Sequence, residues 1–150
     1  MAETSVGPAD YEALMRRYFD ACNAADFDAL VACFTPDAVH YFPPGLAGVP
    51  WRSAETIARG WQECVATLGS QWTVDRLIVS HDSPEAVMEW THWKNASATL
   101  RGAEWYAFDP ETLRISEIRA YYAAPADRAA QINELVGFDY AGRGYPLASH

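Results

Sequence analysis

The feature that most constrains this chain is a change of period partway along it. Up to about residue 69 the apolar residues recur at helical spacing, and beyond it they fall into short runs rich in β-formers. Tyr11, Leu14, Met15, Tyr18, Cys22 and Ala25 mark a first helix with Asp10 as its expected N-cap. Asp26 is expected to cap a second, shorter helix holding Phe27, Leu30, Val31 and Phe34, ended by Pro36 and Asp37. A third starts after Ser53, carries Ile57, Trp61, Cys64, Val65 and Leu68 on one face, and stops at Gly69. Between the last two lies AVHYF, where alternation puts Ala38, His40 and Phe42 on one face of a strand and Val39 and Tyr41 on the other. Pro43 and Pro44 close that strand.

Four further strands are expected over Trp72–Ser80, Ala86–Lys94, Ala98–Phe108 and Leu113–Ala123, separated by the turn signals HDSPE, NAS and DPET. A last short helix is expected from about Ala126 to Val136, followed by the tail FDYAGRGYPLASH. Helices first and strands after predict an α+β fold, with helices on one face of a curved antiparallel sheet. At 150 residues, with no repeat or linker, the chain is expected to form one domain, residues 124–150 being a C-terminal extension.

Charge and cysteine content exclude several functions. The net charge is −9 and Lys94 is the single lysine, so the surface repels nucleic acid and anionic lipid. MAETSVGPADYEAL carries neither a basic n-region nor an apolar run, which predicts no signal peptide, and no stretch has the length of a membrane helix. Cys22, Cys33 and Cys64 fit neither a disulfide framework nor a zinc knuckle, and read as reduced cysteines of a cytoplasmic protein. His40 and His92 lack metal-ligand spacing, so no metal is expected. Glycine-rich phosphate loops and a GxSxG elbow are absent, and no cofactor is expected.

MRRYFDACNAADFDALVACFTPDAVHYFPPG, with EWTHW, LRGAEWYAFD and RISEIRAYY after it, resembles the NTF2-like superfamily in its SnoaL-like polyketide cyclase and ketosteroid isomerase branches. The resemblance covers about residues 10 to 123. It implies a cone, in which a bent sheet wraps the N-terminal helices around a deep pocket, and often a homodimer through the outer sheet face. It also implies site residues. Tyr18 and Glu104 fall where the isomerase has the tyrosine and acid of its oxyanion hole. Phe42 falls where that enzyme has its base aspartate, and a phenyl ring takes no proton. The acids and arginine of limonene-epoxide hydrolase fall on Trp90, His92 and Ala120, and the aspartate of the scytalone-dehydratase type falls on Asn23.

Alternation places Trp90, His92 and Lys94 on one face of their strand, and Glu104 and Tyr106 on the matching face of the next. A histidine suits proton transfer near neutral pH, and an inward acid is costly unless paired or protonated. These patterns nominate His40 and His92 for proton transfer and Tyr18 and Glu104 for oxyanion stabilisation. Phe42, Trp61, Trp90 and Tyr106 would shape the pocket. The leading expectation is a cofactor-independent isomerase, cyclase or dehydratase acting on a small, mostly apolar carbonyl or hydroxyl compound. Hydrolysis of an epoxide-like electrophile and plain small-ligand binding stand as alternatives. His40 as a satisfied core histidine and Tyr18 as simple packing stand beside the functional readings. On the opposite face, Trp93 and Trp105 form the patch expected to join two copies.

Overall fold

The computed structural model describes residues 6–95, 100–122, 136–139 and 141–144. Helix α1 spans Pro8–Ala24 and starts at a different cap from the one expected. Gly7 is the N-cap, and Asp10 serves from inside the first turn, its Oδ2 accepting the Gly7 N–H at 2.9 Å. A proline one residue after Gly7 explains the shift, since proline suits the first helical position. Asp26 caps α2, Phe27–Cys33, by accepting the Ala29 N–H at 3.1 Å.

Strand β1, Phe34–Tyr41, begins where the second helix was expected to continue. Phe34 is therefore a strand residue, and Pro36 and Asp37 lie exposed within β1 rather than ending a helix. The ladder is irregular between Phe34 and Val39, so proline's missing donor falls at a break in the pairing. A two-residue strand β2, Trp51–Arg52, pairs with β1. Helix α3, Ala54–Leu68, follows, capped by Ser53 and closed by Gly69 at φ 62, as its pattern predicts. The remaining strands are β3 Gln71–Val79, β4 Glu85–Trp93, β5 Leu100–Asp109 and β6 Arg114–Tyr122.

These six strands form one sheet in the order β2-β1-β6-β5-β4-β3. All neighbours are antiparallel except β1 and β6, which run parallel, so the sheet is mixed. The parallel pair closes a long loop of chain: α3 and the β3–β6 meander intervene before β6 returns beside β1. The curved, unclosed sheet wraps the helices, and the α+β cone is the fold. Leu14, Met15 and Tyr18 of α1 and Ile57 and Ala58 of α3 pack against Phe34, Ile115 and Ile118 of the sheet.

The expected last helix lies outside the described residues except for Val136, whose N–H donates to the Phe42 carbonyl at 3.1 Å. Phe138 then packs on the outer sheet face, edge-on to Tyr41 with ring centroids 5.2 Å apart. Arg143 lies over Phe138 and forms a two-pronged pair with Glu117 at 2.9 and 2.6 Å. This part of the tail binds the outside of β1 and β6, away from the inner face.

Candidate functional site

The inner face of β1 carries Ala38 and His40, and Phe42 follows just past its end; all three are buried. His40 is fully enclosed and stacks on Phe42, with ring centroids 3.9 Å apart and planes within 5°. Its Nδ1 lies 3.3 Å from the Tyr41 carbonyl oxygen. A carbonyl only accepts, so this contact places a ring proton on Nδ1. Nε2 faces Glu104 Oε1 at 3.6 Å and has no hydrogen-bond partner among the described residues.

Sheet register explains why Glu104 reaches His40. On β5, Tyr106 is opposite Ile118, which is opposite His40 on β1; Glu104 is opposite Ala120. The alanine methyl leaves room for the carboxyl to cross toward β1. Tyr106, fully buried, donates its hydroxyl to Glu104 Oε2. Burial above all, then the Glu104 charge, holds the Tyr106 phenol well above its usual range. Tyr106 therefore acts on Glu104 from behind and does not line the main cavity, where a pocket-shaping residue was expected.

That cavity has a volume of about 290 Å³. Four indoles, Trp51, Trp61, Trp72 and Trp90, line it together with Phe42. Glu104 lies on the wall, and His92, Lys94 and Tyr122 are the other titratable groups there besides Cys64. Burial pushes the Tyr122 phenol up to about 12, with Glu104 adding to the shift. Trp90 packs against Gly102, where a Cβ would be 2.6 Å from the indole. The Trp90 N–H is buried without an acceptor among the described residues.

Tyr18 borders a small adjoining gap shared with Glu104, Trp61 and Trp90. It accepts a hydrogen bond from Trp61 Nε1 at 2.9 Å, and its own O–H is directed to the Cys22 sulfur. Burial, and after it Cys22 and Glu104, raises the Tyr18 phenol well above 10, so it stays protonated.

His92 is separated from this group. It stacks on Trp72, and its Nε2 lies 2.7 Å from the Ser70 hydroxyl. Its strand position pairs with Leu100, four residues from Glu104, which is about 13 Å along the strands. Burial first and Lys94 second lower its pKa to about 4, so the ring is neutral at pH 7. Glu104 and His92 thus share one cavity at opposite ends, while His40 and Glu104 are in contact.

Asn23 has a packing role. Its Oδ1 accepts the Trp72 N–H at 2.7 Å and its Nδ2 donates to the Trp72 carbonyl at 2.9 Å, tying α1 to β3. Sequence reading missed Trp51, Trp72, Tyr122 and Ser70. Trp72 and Tyr122 had a usable signal in strand alternation; Trp51 sits on a strand too short to show one. Among the described residues no three His, Cys, Asp or Glu side chains group closely enough to hold a metal ion.

The SnoaL-like domain family matches residues 15–118 of this chain. The chain belongs to that family. A protein of unknown function with a cystatin-like fold from Methylobium petroleophilum PM1 is 47% identical, with a TM-score of 0.90, covering 97% of this chain and 96% of its own. An NTF2-like protein of unknown function from Mesorhizobium loti is 18% identical, TM-score 0.66, over 78% of this chain and 93% of its own. A putative polyketide cyclase from Sinorhizobium meliloti is 20% identical, TM-score 0.60, over 73% and 94%. The last two share the fold. No curated protein matches the chain.

Proposed function

We propose that this SnoaL-like protein is a cofactor-independent acid–base enzyme that moves a proton on a small, mostly apolar carbonyl or hydroxyl compound. The observation that carries this reading is the Glu104–His40 contact at the edge of an apolar cavity. Glu104 meets the substrate; His40, enclosed behind it, faces the carboxylate with Nε2 and does not line the cavity. In the neutral ring with Nδ1 protonated, the Nε2 lone pair faces Oε1, so a proton arriving at the carboxylate is attracted by both atoms. The Tyr106 O–H bond orients the carboxylate from the other side.

In the reaction we envisage, Glu104 takes a proton from the carbon beside a substrate carbonyl, and His40 Nε2 stabilises the proton held there. The electron pair moves onto the carbonyl oxygen, where the neutral Tyr18 O–H turns from the Cys22 sulfur to donate to the developing charge. Return of the proton to the same or a conjugated carbon completes an isomerisation; loss of a β-hydroxyl instead completes an elimination. Phe42, Trp61 and Trp90 exclude water and hold the apolar body. His92, neutral and hydrogen-bonded to Ser70, is placed for a polar group at the far end.

Hydrogen exchange tests this reading. Cyclic ketones and β-hydroxyketones in D2O should gain deuterium at the carbon beside the carbonyl with the protein present. Glu104→Gln should slow that exchange at least a hundredfold, the scale of general-base catalysis. Saturable binding without exchange by the native protein would instead support a ligand-binding protein, the reading favoured by Phe42 occupying the isomerase's base position. For assembly, we propose a homodimer through the outer face, where Trp93 and Trp105 are 46% and 40% exposed. Sedimentation of a monomer at micromolar concentration would remove that assignment.

A further inference from the structure

Resting on the reading of the cavity as a substrate site, we propose that the substrate is an anion: a small aromatic or cyclic carboxylic acid, its ring body among the indoles and its carboxylate on Lys94. Two observations converge. Lys94 is the single lysine of a chain carrying 20 acidic residues, and it borders the cavity. Among the described residues it forms no ion pair, so its charge is open to a ligand. A carboxylate on a ring held among the indoles would meet it.

The net charge of −9 opposes any anion at long range, but screening limits this to about 8 Å at physiological salt. At contact distance Lys94 prevails, since its attraction acts beside a low-dielectric wall. Size sets the body of the ligand. The cavity lies at the small end of ligand pockets, and about 13 Å separates the levels of Glu104 and His92, which suits a one- or two-ring acid.

The test compares naphthalene-2-carboxylate with naphthalene-2-carboxamide, two probes of like shape and different charge, by quenching of tryptophan fluorescence. The carboxylate should bind about five- to tenfold tighter, the scale of a partly exposed charged contact, and its advantage should shrink in 0.5 M NaCl. Lys94→Gln should bring the two compounds to equal affinity. Equal binding by the native protein, or a preference that survives Lys94→Gln, would overturn the anion assignment and leave the cavity reading standing. Failure of both probes to bind at millimolar concentration would overturn the two together.

Discussion

His40 Nε2 and Glu104 Oε1 face each other at 3.6 Å, one side chain fully enclosed and the other on the wall of a cavity. Sequence reading assigned proton transfer to His40 and oxyanion stabilisation to Glu104; in the proposed function Glu104 is the base, with His40 behind it. Glu104 borders the cavity, and His40 does not. Phe42, stacked on His40, fixes the imidazole plane.

His92 supplies a pH prediction. Its folded pKa of about 4 lies below the unfolded value of about 6.5. Between these values the unfolded chain binds more protons, so stability rises with pH there and is lost as pH falls from 6.5 toward 4. After discounting for solvent screening, the contribution is on the order of 1–3 kcal/mol. The stability advantage of the native protein over His92→Gln should therefore shrink between pH 7 and pH 4.5 in urea unfolding. Lys94→Gln should raise the His92 titration midpoint measured by NMR, because Lys94 is the second cause of the shift.

Gly102 exists for Trp90. An alanine there would put its Cβ 2.6 Å from the indole and 3.0 Å from the Tyr121 carbonyl oxygen, so the ring must move into the cavity. Gly102→Ala should cost about 1–3 kcal/mol, read as a lowered urea midpoint. It should also weaken binding of an aromatic probe, which a purely stability-related role would leave alone.

The tail offers a choice between a cover for the cavity and a strap on the outside of the sheet. Phe138 is buried against Tyr41 and lies under Arg119 and Arg143, all on the outer side. Phe138→Ala should lower stability by about 1–3 kcal/mol and leave probe binding unchanged. A variant of native stability that has lost binding would mean that the tail closes the cavity.

Much of this was legible before any coordinates, and the losses have physical causes. The family resemblance implied which face is inner, and alternation sorts His40, Glu104 and Trp90 by face because the side-chain period of a strand is fixed. It could not give distance along the strands, which depends on register, so His92 was grouped with Glu104 although it stands about 13 Å away. The parallel pairing of β1 with β6 is a contact between distant segments with no local signal. Phe34 followed the helical pattern of Leu30 and Val31, yet its place in the sheet prevailed. Thr91, one alternation from Trp93, is buried, and its hydroxyl bonds Asp75 at 2.6 Å.

The central claim is that Glu104 and His40 hold the substrate's proton as a unit, and a double-mutant cycle on deuterium exchange tests it most directly. His40→Phe keeps the stack on Phe42 and removes Nε2; Glu104→Gln keeps the shape of the carboxyl and removes its basicity. Groups that act together are non-additive, so each single change should remove nearly the whole acceleration and the double variant should be little slower than Glu104→Gln alone. Losses that multiply, or a His40→Phe protein exchanging at the native rate, would contradict the account.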